Sequence, residues 1–216
     1  MSEVNRSRRP YRSPSRDEGA RRTRLAIVIA AGKLFVERGY IATSLADIAV
    51  AAGVARPTVF AAFGSKPALL RHVLDQTLAG DDAPVAVAER PWFRPVWDAT
   101  TPGAALDAYA EVCVIIARRA AQLFEAVRRA ADDSPEIAEL WNTLQANRLA
   151  GATMVIEHIR KLGDLTPDLP AAAATDTLWF FNDPAHYVAL VLQRGWSEDA
   201  FRQWLAARMR GALLAG

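Results

Sequence analysis

Cysteine is nearly absent from this chain of 216 residues, where Cys113 stands alone. One thiol can form neither an internal disulfide nor a multi-thiolate metal cluster, and a free cysteine ordinarily packs as a small apolar residue. Histidine is scarce too. His72, His158 and His186 lie far apart, without a His-x-x-x-His or Glu-x-x-His spacing for a metal, and no Gly-x-Ser-x-Gly elbow offers a nucleophile. His158 does follow Glu157, but adjacent residues on a helix point in different directions. No catalytic function, cofactor or metal is therefore expected. No uninterrupted apolar run approaches the ~18 residues a membrane span requires. The N-terminus is rich in Arg and Ser with no apolar stretch, so a cytoplasmic protein without a secretory signal is expected. The alternation that marks strands is also missing, which leaves helix as the main regular structure.

What is present is apolar residues, 51% of the chain, enough for a substantial core in one or two domains. The net charge of +2 conceals an asymmetry. Residues 1–78 hold 13 Lys and Arg against 6 Asp and Glu, and residues 79–216 hold 13 against 18. Positive charge thus gathers in the first third, as binding to a phosphate backbone requires. Much of it lies in residues 1–23, where arginines alternate with Ser, Pro and Asn in a composition that predicts disorder. Such an arm can enter a DNA minor groove or be an inert solvated tail, and composition fits both.

The most informative segment is residues 39–70. Thr43 and Ser44 are good caps for a short helix that places Leu45, Ile48, Ala49 and Ala52 on one face. Gly53 then supplies the left-handed turn of a helix end. A second short helix is predicted over Arg56–Phe63, with Pro57 in its first turn, Val59 and Phe63 facing inward, and Arg56, Thr58, Phe60 and Ala62 facing out. Two short helices joined by a glycine turn, the second carrying a basic residue and a hydroxyl near its start, suit a recognition helix laid in the major groove. Ser65 caps a further helix that Lys66 opens.

From Arg24 to Leu74 the chain resembles the DNA-binding domain of the tetracycline-repressor (TetR) family. The residues that carry the resemblance are Ala31, Leu34 and Phe35, then Glu37-Arg38-Gly39-Tyr40, Thr43-Ser44, Ile48-Ala49, Ala52-Gly53-Val54, and Phe60-x-x-Phe63-x-Ser65-Lys66-x-x-Leu69-Leu70. It implies phosphate contacts from Thr43, Ser44 and Lys66, and groove contacts from Arg56, Pro57, Thr58 and Phe60. Two positions depart from the family pattern: Phe60 replaces the usual tyrosine, and Ala55 replaces the usual serine cap, a change that costs ~1 kcal/mol of helix stability. With Ala62, these keep open a second reading, an effector-binding relative with weakened DNA recognition.

Beyond residue 78 the chain reads as a Pro- and Gly-interrupted linker to Gly103, with one short helix near Trp92–Asp98, followed by a helical body. Thr101-Pro102 and Ser134-Pro135 open helices of roughly 102–131 and 135–162, the first expected to break near Arg118-Arg119. A segment over 171–194 is interrupted at Pro184, and Ser197 caps a last helix to about Leu213. The expected architecture is all-α, with a helix-turn-helix head (24–78) joined to a larger helical bundle (79–216). The resemblance implies that this bundle surrounds a pocket for a small apolar effector. It also implies a homodimer formed by 171–192 and 197–213, which binds double-stranded operator DNA as a repressor. Tyr109, Cys113, Phe124, Trp141, Trp179, Phe181 and Asn182 are the candidate pocket residues, although aromatic residues at helical spacing also fit an ordinary core.

Overall fold

The computed structural model describes residues 14–167 and 169–215 of the chain. Among them every regular element is helical: α1 (Pro14–Arg38), α2 (Leu45–Ala52), α3 (Arg56–Phe63), α4 (Lys66–Ala79), α5 (Arg94–Trp97), α6 (Pro102–Ala131), α7 (Pro135–Leu162), α8 (Ala171–Phe181), α9 (Pro184–Tyr187) and α10 (Glu198–Leu213). A 3-10 turn covers Val87–Glu89, and a π-helical stretch, Val188–Gln193, continues α9. No single helix among the described residues is long and apolar enough to cross a membrane.

Local rules account for the head. Ser44, not Thr43, caps α2: its Oγ accepts from the Asp47 backbone N–H at 3.1 Å while Asp47 accepts from the Ser44 N–H at 2.9 Å, a reciprocal box that satisfies two otherwise unpaired donors. Gly53 ends the helix at φ 67°, a left-handed conformation that a Cβ would strain. Pro57 sits in the first turn of α3, whose cap position, Ala55, makes no side-chain hydrogen bond. Ile27, Leu34, Phe35, Ile48, Val59, Leu69, Leu70 and Val73 then close one apolar core.

Two elements differ from the sequence expectation. Helix α1 begins ten residues before Arg24, so residues 14–23, assigned by composition to a disordered arm, are helical. Pro14 stands at the first helical position, where its missing N–H is no loss. The part of the arm in residues 1–13 lies outside the described residues. Helix α6 runs its full 30 residues without the break expected at Arg118-Arg119, a length of about 45 Å. The reason is that it belongs to two cores. Ala105, Leu106, Tyr109, Ala110 and Val114 pack in the body with α7, α8 and α10, whereas Leu123, Phe124, Val127 and Ala130 complete the head core together with Ile137, Leu140 and Leu144 of α7. The two arginines secure the rod sideways: Arg118 forms a two-pronged ion pair with Glu198 of α10, and Arg119 reaches the Ala79 carbonyl at the end of α4.

Candidate DNA-binding helix and internal cavity

Helices α2 and α3 meet at 107°, within the range of a helix-turn-helix. Arg56, Pro57 and Phe60 are exposed on the outer side of α3, Thr58 is half-buried, and Val59 faces the core. The far end of α3 is fixed by Arg24, whose Nη1 donates to the Ala62 carbonyl at 2.5 Å while the guanidinium lies 4.4 Å from the Phe63 ring centre. Among the described residues no acidic side chain pairs with Arg56, which leaves its charge directed outward.

All three expected phosphate ligands are engaged within the protein. Thr43 is buried, and its hydroxyl hydrogen-bonds to the carbonyls of Gly39 at 2.8 Å and Leu34 at 3.3 Å, so its single proton points into the protein. The Lys66 ammonium lies 4.2 Å from the Tyr40 ring centre and donates to the carbonyls of Tyr40 and Thr43, each at 2.9 Å, and of Ile41 at 3.5 Å. An ammonium has three N–H bonds, and the turn between α1 and α2 takes all of them. Burial lowers the Lys66 pKa from its ordinary value, and desolvation, with the nearby Glu136 charge, raises that of Tyr40 to about 12. Both residues thus brace the turn that presents α2. Ser44 is exposed at the α2 N-terminus, but its hydroxyl and its N–H both donate to the Asp47 carboxylate, at 2.6 and 2.9 Å, so neither is free for a phosphate in this structure.

Behind the head lies a cavity of about 510 Å³, a size typical of ligand sites. Its walls come from the last turns of α4 (Asp75, Gln76, Leu78 and Ala79), the strap from Asp81 to Arg90, Phe93, the middle of α6 (Tyr109, Cys113, Ile116 and Phe124), α7 (Leu144, Asn147, Arg148 and Gly151) and Asn182. Tyr109, Cys113, Phe124 and Asn182 are therefore brought together as the sequence suggested. Trp141, Trp179 and Phe181 are not. Trp141 packs edge-on against Phe124, with ring centres 6.3 Å apart. Trp179 is covered by the Arg148 guanidinium at 5.1 Å. Phe181 packs on Phe180 at 5.6 Å. Burial pushes the Cys113 thiol up to about 12, and it remains a neutral wall atom.

Sequence reasoning missed the strap and Arg148. The strap holds itself closed through Arg90, only 4% exposed, which grips both Asp81 oxygens at 2.7 Å and donates to the carbonyls of Ala83 and Val85 at 2.8 and 3.1 Å. Arg148 donates to Asn182 Oδ1 and the Trp179 carbonyl, each at 2.8 Å, and pairs with Asp183 at 3.2 Å. Burial nevertheless lowers its pKa, with Asp183 as the main opposing influence. The only available signal was an arginine amid the apolar periodicity of α7.

Residues 27–73 match the family of bacterial regulatory proteins described as the tetR family. Over 187 residues the chain is 31% identical to the HTH-type transcriptional regulator EthR of Mycobacterium tuberculosis, covering 85% of this chain and 80% of that protein. The chain belongs to the TetR family. It is a DNA-binding transcriptional regulator. A shorter match to the repressor ComR of Escherichia coli, 52% identical over 44 residues, covers 20% of this chain and 21% of that one. The fold agrees with a Saccharomonospora viridis regulator solved with choline (TM-score 0.69, 22% identity, 93% of this chain and 100% of that one). It also agrees with NalD of Pseudomonas aeruginosa, a repressor of a multidrug efflux pump (TM-score 0.66, 20% identity, 91% and 98% covered).

Proposed function

We propose that this TetR-family regulator is a repressor, that it binds a palindromic operator as a homodimer, and that a small apolar molecule in the cavity releases it. The observation that carries this reading is the double role of α4. Its Leu69, Leu70, Val73 and Leu74 belong to the head core, whereas Asp75, Gln76, Leu78 and Ala79 form a cavity wall. A ligand that displaces the second half of this 14-residue helix displaces the first, and with it the α3 that packs there. No contact between ligand and DNA is needed. Arg56, Pro57, Thr58 and Phe60 are the groove residues in this reading, with the free N–H groups in the first turn of α2 on phosphate.

The dimer is supported by a surface aromatic group on α8, α9 and α10. Phe180, Leu192 and Trp196 are exposed, and Phe180, His186, Trp204 and Trp196 follow one another at ring-centre distances of 5.0 to 6.3 Å. An apolar patch of this kind marks an association surface. Two recognition helices about 34 Å apart would then read successive major-groove turns. The uncapped Ala55 and the exposed Phe60 instead favour weakened DNA recognition, which would show as equal affinity for every DNA sequence.

The test is linkage. Compounds found by thermal shift to bind the protein should weaken operator binding, and operator should weaken their binding by the same factor, with a typical coupling of ~1–3 kcal/mol. In the variant Gly151→Phe both responses should disappear, because the added side chain enters the cavity from a position where a Cβ meets nothing within 4 Å. Compounds that occupy the cavity of the wild type yet leave DNA binding unchanged would defeat the proposal.

A further inference from the structure

The cavity wall contains an arginine, and Arg148 is the group a ligand carboxylate would seek. Its side chain is 10% exposed, and its five N–H bonds are already directed into the protein. Nε and Nη2 both donate to Asn182 Oδ1, at 3.1 and 2.8 Å, and Nη2 also donates to the Trp179 carbonyl at 2.8 Å. Nη1 donates to Gln145 Oε1 at 2.5 Å and meets the Asp183 carboxylate at 3.2 Å, which balances the charge.

These contacts also settle which way the Asn182 amide points. A guanidinium has donors only, so the Asn182 atom that faces it twice must be the carbonyl oxygen, and the NH2 is turned toward α6. There it donates to the Tyr109 hydroxyl at 2.9 Å. The phenol oxygen is therefore an acceptor in this pair, and its own proton is left over. Tyr109 is 5% exposed and lines the cavity, and among the described residues no protein group accepts that proton. Burial raises the Tyr109 pKa, which keeps the proton in place. A buried donor without a partner is unfavourable until an acceptor reaches it.

We propose that the cavity selects neutral, largely apolar molecules bearing one carbonyl oxygen, an ester, ketone or amide, which accepts a hydrogen bond from the Tyr109 hydroxyl, and that it rejects the carboxylate of the same skeleton. This rests on the reading of the cavity as the effector site. A carboxylate would lose its hydration and find no free donor on Arg148; the other lining arginine, Arg90, is neutralised by Asp81, and the Asp183 carboxylate beside Arg148 and the Asp75 carboxylate in the cavity wall add negative charge. A plain hydrocarbon would fill the space but leave the Tyr109 proton unpaired.

Three probes of one skeleton separate these cases on the full-length protein: methyl 4-phenylbutanoate, 4-phenylbutanoate and pentylbenzene, titrated by calorimetry. The ester should bind about three- to tenfold more tightly than pentylbenzene, the range one neutral hydrogen bond gives, and the carboxylate more weakly than both. Tyr109→Phe should reduce the ester to the affinity of pentylbenzene while pentylbenzene itself is unaffected, which also shows that the cavity is intact. With a 13C-labelled ester carbonyl, infrared spectra should show its stretch at lower frequency in the wild type than in Tyr109→Phe, a signature that a purely structural role would not give. If the carboxylate binds most tightly, or if Tyr109→Phe changes neither the ester affinity nor its carbonyl band, the inference is overturned and the cavity stands. Failure of all three probes to bind would overturn the effector reading itself, and this inference with it.

Discussion

Replacing Lys66 with Met separates a structural brace from a DNA ligand. Methionine keeps the length of the stem and its contact with the Tyr40 ring, but leaves the carbonyls of Tyr40, Ile41 and Thr43 without their shared donor. Hydrogen bonds to a charged donor contribute ~1.5–3 kcal/mol each when buried, and unmade carbonyls at a half-exposed turn recover part of that from water. A net loss of about 2 kcal/mol follows, or about 4–8 °C in Tm for a protein of this size. Differential scanning calorimetry reads the shift, and fluorescence anisotropy of labelled DNA over a salt series reads the other alternative. The brace predicts a lower Tm and an unchanged slope of log affinity against log salt. A phosphate contact predicts the reverse, with the slope shallower by ~0.9 per subunit. An unchanged Tm with a shallower slope would refute the assignment.

Other consequences can be checked in the same preparations. Arg56→Ala should cost ~1–3 kcal/mol of operator affinity and much less on random DNA, because a groove contact discriminates between bases; equal losses in anisotropy titrations would place Arg56 on phosphate. Gly80 adopts φ 88° and a Cβ there would lie 2.5 Å from Arg119 Nη1, so Gly80→Ala should lower stability by ~1–2 kcal/mol in a urea melt; an unchanged midpoint would show that this turn is free to relax. The hydrogen bonds that Glu198 accepts from Arg118, and then from Tyr187, hold its pKa below the usual carboxylate value. Its contribution is complete above that usual value and disappears as pH falls through the lowered one. The difference in Tm between wild type and Glu198→Gln should therefore be largest near neutrality and close in acid, and a constant gap would exclude the ion pair as its cause.

The head was legible because its determinants are local. A Ser-x-x-Asp box, a glycine at a left-handed position and apolar residues three and four apart each act within a few residues, and together they placed α2, α3 and α4 to within a residue. What failed was non-local. Lys66 is a cation at an exposed helix start in sequence, and only the arrival of the Tyr40–Thr43 turn, more than twenty residues earlier, makes it a brace. The expected break in α6 followed from the usual size of one domain, whereas this helix serves two cores in succession. The cavity has no sequence pattern of its own. Three helices, a strap and the turn after α8 enclose it, and its polar wall depends on Arg148 meeting Asn182 across 34 positions. Trp179 and Phe181 were plausible candidates by type, but whether an aromatic ring on α8 faces the cavity or its outer side is decided by packing against α7 and α10.

The proposed function requires α3 to read a specific DNA sequence from a two-fold arrangement. In vitro selection of the purified full-length protein on a random DNA library tests it most directly. One inverted repeat whose half-sites lie one helical turn, or a multiple of it, apart should be enriched. Recovery of no preferred sequence, or of a single half-site bound by a monomer, would contradict it.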